Sequence, residues 1–72
     1  MDRIKIGDKV LIKGNSRIHH SLLVPSIAEV IGMDIVSFNV LGHDINGRTY
    51  SQWISPVDIE LVYSAPRKAV IV

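Results

Sequence analysis

Residues 38–54 read FNVLGHDINGRTYSQWI, and this stretch decides the fold because it encodes a β-hairpin. Strand-forming residues lie on both sides of Asn46-Gly47, a pair that favours a two-residue type I′ turn since both residues tolerate a positive φ angle. A turn of two residues sets the register of the two strands. We therefore expect Val40 to lie opposite Trp53.

This register divides the hairpin into two faces. One is expected to lie in the core, and it carries Phe38, Val40, Gly42, Ser51 and Trp53. Gly42 is expected either to leave room for the indole or to mark a bulge. The other face is amphipathic, and we predict that it binds a partner through Leu41, His43, Tyr50 and Gln52.

The remaining strands are indicated by alternation of apolar and polar residues and by turn signals between them. Val10 and Ile12 share one face of the first strand, and Ala28 and Val30 share one face of the second. We expect strands at Lys9–Lys13, Ser26–Gly32, Ile35–Ile45 and Ile59–Tyr63, with the fourth after Gly47, and one 3-10 turn at Ser55–Asp58. Residues 1–63 then form the domain, and residues 64–72 form a tail that is disordered or adds an edge strand.

Composition restricts the functional classes. The chain has 72 residues, no cysteine, a hydrophobic fraction of 47% and a net charge of +1. It therefore fits one domain without disulfides or thiolate metal sites, and we expect it in the cytoplasm and not in a membrane. A core of this size rarely suffices alone, so a homo-oligomer is one expectation.

The opening Gly-Asp-Lys-Val at residues 7–10 and the closing Trp-x-x-x-x-Asp-Ile-Glu-Leu-Val at residues 53–62 resemble the ends of small bacterial SH3-like barrels. The resemblance covers Ile6 to Tyr63. It implies an all-β domain, a single five-stranded SH3-like barrel with a short 3-10 turn before the last strand. Function does not follow from this fold, because many unrelated activities share it.

Three branches of this superfamily resemble this chain to different degrees. KOW-type barrels bind RNA or polymerase, but the glycines that they place around the first loop are matched here only by Gly14. Accessory SH3-like subunits of photosynthetic electron transfer are similar in layout and dock protein partners. Type II dihydrofolate reductase is similar at Gln52, and that resemblance implies a tetramer that binds NADPH with Gln52 facing a central pore. Trp53 and Ile54 depart from the reductase pattern at residues that would touch cofactor and folate.

We expect a non-enzymatic binding module, an accessory or regulatory factor that contacts an unidentified protein. Besides the amphipathic hairpin face, the predicted contact residues are Leu22 and Leu23 in the long loop after the first strand. The alternative is RNA or DNA binding through a basic edge formed by Lys9, Lys13 and Arg17, and the third hypothesis is the reductase.

No catalytic residue, metal site or cofactor is predicted. The three histidines, His19, His20 and His43, are expected to be solvated and not to be metal ligands. The acidic residues Asp44, Asp58 and Glu60 are not accompanied by a nucleophile. Asp58 is expected to cap the 3-10 turn or to anchor the last strand, and Glu60 to lie on its outer face.

Overall fold

A computed structural model describes residues 4–64, which form one antiparallel sheet of five strands. The strands are β1 (Lys9–Ile12), β2 (Ser26–Met33), β3 (Phe38–His43), β4 (Thr49–Ile54) and β5 (Ile59–Tyr63), in the spatial order β4-β3-β2-β1-β5. One 3-10 turn, Pro56–Asp58, precedes β5. The all-β class, the five strands and the 3-10 turn are confirmed. Within residues 4–64 the edge strands β4 and β5 do not pair with each other, so the sheet is not closed.

The core lies on one side of this sheet. Alternate residues of a strand point to the same side, and the buried residues of β1 and β2 follow this period of two, as predicted. The eight buried apolar residues form one cluster: Val10, Ile12, Leu22, Ala28, Val30, Val40, Ile54 and Ile59. Residues 4–64 contain no helix with the length and apolar character needed to span a bilayer.

The predicted two-residue turn is wrong, because the β3–β4 loop has three residues. The Asp44 amide donates to the Arg48 carbonyl at 3.0 Å, and the Gly47 amide donates to the Asp44 carbonyl at 3.0 Å. Gly47 has a φ of +80°, whereas Asn46 does not have a positive φ. A type I turn followed by a glycine in the left-handed region has this geometry.

The extra loop residue shifts the register by one position and exchanges the two faces of β4. Val40 lies opposite Gln52, and Trp53 lies opposite Asn39. Ile54, which the predicted register places on the amphipathic face together with Gln52, is fully buried. Trp53, expected in the core, is 41% exposed on the opposite side of the sheet.

Gly42 leaves room for an aliphatic side chain and not for the indole. A Cβ atom at this position would lie 3.2 Å from Leu22 Cδ2 and 3.3 Å from Ala28 Cβ. Leu22 reaches this place because it forms an isolated bridge with Asp44, and because the Leu23 amide donates to the His43 carbonyl at 2.9 Å. The long loop therefore contributes one residue to the core.

The third strand is shorter than the predicted Ile35–Ile45. Residues 34–37 form the turn after β2, in which the Asp34 amide donates to the Ser37 carbonyl at 2.9 Å. The Asp34 carboxylate also accepts the Ile35 amide at 2.7 Å. Ile35 is almost fully exposed at the tip of this turn. The predicted tail falls almost entirely on residues 65–72, which lie outside the described residues.

Asp58 holds the long loop and does not cap the 3-10 turn. The cap is Ser55, whose hydroxyl accepts the Val57 amide. The buried Asp58 carboxylate accepts the Ser16 hydroxyl at 2.7 Å, the Ser16 amide at 3.0 Å and the Arg17 amide at 3.4 Å. The Ser16 hydroxyl is the main reason that the pKa of Asp58 lies below its ordinary value of 3.8, against the opposing effect of burial.

Candidate functional site

Three of the partly exposed large apolar residues on the side of the sheet opposite the core lie on the adjacent strands β2, β3 and β4. These are Ile27 (48% exposed), Leu41 (38%) and Trp53 (41%), and we call them the outer patch. Leu41 lies opposite Glu29 on one side and opposite Ser51 on the other. Ile27 and Trp53 are therefore its diagonal neighbours on adjacent strands, a separation that large side chains can bridge.

A shallow depression of about 230 Å³ lies within this face. Ile27 and Leu41 form its apolar wall, and the polar wall is formed by Lys9, Glu29, His43 and Thr49. The Lys9 ammonium and the Glu29 carboxylate are 3.2 Å apart. A second polar contact joins His43 Nδ1 and the Thr49 hydroxyl at 3.0 Å. The depression beside Ile27 and Leu41 is thus framed by two pairs of polar groups, each in mutual contact.

The structure separates the four residues predicted on the amphipathic face of the hairpin. Leu41 and His43 lie on the outer face, but Tyr50 and Gln52 lie on the core-facing side of β4. Tyr50 packs against the core cluster. Gln52 is half-buried, and its side-chain amide donates to the Trp53 carbonyl at 3.5 Å. These four side chains therefore do not form one surface, because the register prediction was shifted by one residue.

The structure also separates the two leucines predicted to contact a partner. Leu22 is 4% exposed and belongs to the core, whereas Leu23 is 40% exposed. Of this pair, Leu23 alone presents a large apolar surface to solvent.

Two of the three residues in the predicted basic edge are ion-paired. Lys9 pairs with Glu29, as described above, and the Lys13 ammonium lies 3.7 Å from the Glu60 carboxylate. Arg17 is exposed in the long loop, where its backbone amide donates to Asp58. The positive charges of Lys9 and Lys13 are therefore balanced by glutamates on neighbouring strands.

His20 is not a solvated loop residue. Its Nε2 atom lies 2.8 Å from the Gly14 carbonyl, and its Nδ1 atom accepts the Leu22 amide at 3.2 Å. The Asn15 side chain adds two bonds to the His20 backbone, at 2.8 and 3.0 Å. These contacts fix the loop that delivers Leu22 to the core. In residues 4–64 no three histidine or acidic side chains are grouped as a metal site.

Sequence reasoning placed Trp53 in the core, and it did not choose Ile27, on the face opposite Ala28 and Val30, as a contact residue. The signal that was available is Asp44, because aspartate favours the first position of a type I turn and glycine the fourth, which here is Gly47. Asp44 Oδ1 accepts the Asn46 and Arg48 amides, each at 2.9 Å. The Asn46-Gly47 pair alone does not distinguish a two-residue loop from a three-residue loop.

The outer face combines apolar side chains with two polar pairs. Burial of its apolar side chains against another molecule would lower the free energy by removing them from water. Its polar pairs limit which shapes and charges fit beside it. No protein-family model, curated protein or solved structure matches this chain.

Proposed function

We propose that this chain is a non-enzymatic protein-binding module that contacts its partner through the outer patch. The observation that carries the proposal is the grouping of Ile27, Leu41 and Trp53 on the side of the sheet that faces away from the core. The partner that fits is a protein segment with an apolar side chain for the depression beside Leu41. Its flanking groups must be polar, to meet the Lys9–Glu29 pair.

Energetics support contact with protein at this position. Tryptophan is among the residues most often found to dominate binding energy at protein interfaces, particularly where surrounding contacts exclude water. Trp53 is 41% exposed, and a partner that covers this part would remove apolar surface from water. A patch of apolar residues inside a polar frame is the usual arrangement of such interfaces.

Charge favours a protein partner over the alternative of RNA or DNA. Nucleic-acid affinity comes largely from cations that neutralise phosphates. Lys9 and Lys13 each lie beside a glutamate, and the chain as a whole has a net charge of only +1. The outer face therefore lacks the excess of positive charge that phosphate binding requires.

The SH3-like barrel is part of the same proposal. Its support is the connectivity: four strands in meander, a 3-10 turn, and a last strand that returns to pair with the first. This order and the resemblance at residues 7–10 and 53–62 agree with each other.

The test begins with capture of ligands on the immobilised chain, followed by direct titration of each purified ligand. We expect a protein ligand whose Kd rises at least tenfold with Trp53→Ala and with Leu41→Ala. A tenfold rise corresponds to a loss of about 1.4 kcal/mol of binding free energy, which is typical of contacts at the centre of an interface. Ile35→Ala is the matched control, since Ile35 is an exposed apolar residue outside the outer patch. It should leave Kd unchanged.

Two results would contradict the proposal. One is a protein ligand whose affinity is the same for the wild type and Trp53→Ala. The other is a nucleic-acid ligand whose affinity falls steeply between 50 and 200 mM salt, with the steepness of roughly 10³-fold seen for proteins that make many phosphate contacts. In that case the triple change of Lys9, Lys13 and Arg17 to alanine would abolish binding, and Trp53→Ala would not.

A further inference from the structure

Within residues 4–64, β4 is an edge strand of the sheet over its whole length. It pairs with β3 through six consecutive residue pairs without a register shift. Among residues 4–64, no strand pairs with its other side. Six residues of regular edge strand present a row of backbone donors and acceptors to solvent.

The hydrogen bonds of the hairpin identify the β4 residues whose backbone amides and carbonyls point away from β3. Asp44 and Arg48 are joined by a backbone hydrogen bond, and antiparallel pairs alternate between bonded and non-bonded. The pair His43–Thr49 is therefore non-bonded, and the His43 carbonyl accordingly bonds away from β4, to the Leu23 amide. By the same alternation, the outward amides and carbonyls of β4 belong to Thr49, Ser51 and Trp53.

β4 lacks the features that usually protect an edge strand. Its sequence, Thr-Tyr-Ser-Gln-Trp-Ile, has no charged residue and no proline, and its ladder has no bulge. The other edge strand, β5, carries the ionic residue Glu60, and its pairing with β1 is interrupted between Lys9 and Val10. The unprotected edge of the sheet is therefore β4.

We propose that β4 pairs antiparallel with β4 of a second copy of this chain, about a two-fold axis that lies midway between the two copies of Ser51. The two residues of an antiparallel pair point to the same face of the sheet. At the axis a position must therefore pair with the same position of the second copy, because two consecutive positions point to opposite faces. An axis at Ser51 places Ser51 opposite itself and Thr49 opposite Trp53. All three outward-pointing residues are then bonded, and no charge faces a like charge.

A second copy is the occupant that this edge fits best because the strand is self-complementary. A two-fold interface must match the same patch to itself, and an ionic residue near its axis would face its own copy. The six uncharged residues of β4 avoid that repulsion. The pairing uses the backbone of β4 and leaves Ile27 and Leu41 uncovered, so it goes beyond the proposed function and does not depend on it.

The test is the molar mass in solution, measured by light scattering over a range of protein concentrations. We expect a dimer with twice the 8.0 kDa mass of one chain. Ser51→Pro should shift it to monomer, since proline removes an outward amide but no bond to β3. Val62→Pro, on the edge strand β5, is the matched control and should remain dimeric.

Charge exchange tests the position of the axis. Ser51→Lys and Ser51→Glu should each weaken the homodimer several-fold, because like charges would face each other. A mixture of the two variants should form a heterodimer more readily than either variant self-associates. A wild type that stays monomeric at millimolar concentration would overturn the proposal. A dimer that is unaffected by Ser51→Pro would also overturn it. If Ser51→Pro is monomeric and still binds a protein ligand, the proposed function stands independently of the dimer.

Discussion

Leu22 and Leu23 are adjacent in the sequence, but only Leu22 lies in the core. We predict that Leu22→Ala lowers the free energy of unfolding by about 2–5 kcal/mol, because it removes buried methyl groups and leaves a cavity beside Gly42. Leu23→Ala should change it by no more than about 0.5 kcal/mol. Urea denaturation of both variants checks this difference. Equal losses of unfolding free energy for Leu22→Ala and Leu23→Ala would contradict the placement of Leu22 in the core.

The ionised carboxylate of Asp58 makes the stability of the fold decrease in acid. Its pKa in the folded protein lies below 3.8, so the unfolded chain binds its proton first as the pH falls. The stability that the carboxylate contributes is therefore complete above about pH 3.8 and is lost as the pH falls through the lower, folded-state pKa.

We predict that the stability difference between the wild type and Asp58→Asn is largest at neutral pH and shrinks in acid. Thermal unfolding from pH 7 to pH 2.5 measures this difference. Ser26→Ala is a suitable control because the Ser26 hydroxyl, which donates to the Leu23 carbonyl, carries no titratable partner. A difference between wild type and Asp58→Asn that stays constant over this range would contradict the role of the Asp58 carboxylate.

At the scale of one element, the β3–β4 loop places different demands on Asn46 and Gly47. Gly47 has a φ of +80°, and a Cβ atom added there would meet no neighbouring group within 4 Å, so the cost of alanine comes from the backbone alone. We predict that Gly47→Ala lowers the free energy of unfolding by about 1–2 kcal/mol. Asn46→Ala should cost no more than about 0.5 kcal/mol, since Asn46 does not have a positive φ.

Chemical denaturation of both loop variants decides between the two turn types. In a two-residue type I′ turn both central residues need a positive φ, so Asn46→Ala would be as costly as Gly47→Ala. A similar loss for the two variants would therefore support the shorter loop and contradict the observed one.

The strands themselves were predictable, but the faces of β4 were not. In β1 and β2 a charged residue, Lys9 or Glu29, lies on the face that stays exposed, so the pattern favours burial of the opposite face. In β4 each face carries a large aromatic residue, Tyr50 or Trp53, and the local pattern does not choose between them. The choice rests on the loop length, and the contribution of Asp44 to that loop comes from side-chain bonds to two backbone amides.

At the scale of the whole molecule, the sequence predicted the class and strand count because these depend on local periods and turn signals. The position of Leu22 was beyond such reasoning, since it depends on contacts between the loop and the distant end of β3, near Gly42. The outer patch was also beyond it. Three strands bring Ile27, Leu41 and Trp53 together, and an error of one residue in one loop removes Trp53 from the set.

The central claim is that Trp53 lies on the face of the sheet opposite the core, and interstrand contacts between Hα protons test it most directly. In non-bonded antiparallel pairs the Cα atoms are only about 4.5 Å apart, so their Hα protons give strong nuclear Overhauser effects. We predict such effects for Asn39–Trp53 and Leu41–Ser51. Strong effects for Val40–Trp53 and Gly42–Ser51 would instead place Trp53 in the core and contradict the outer patch.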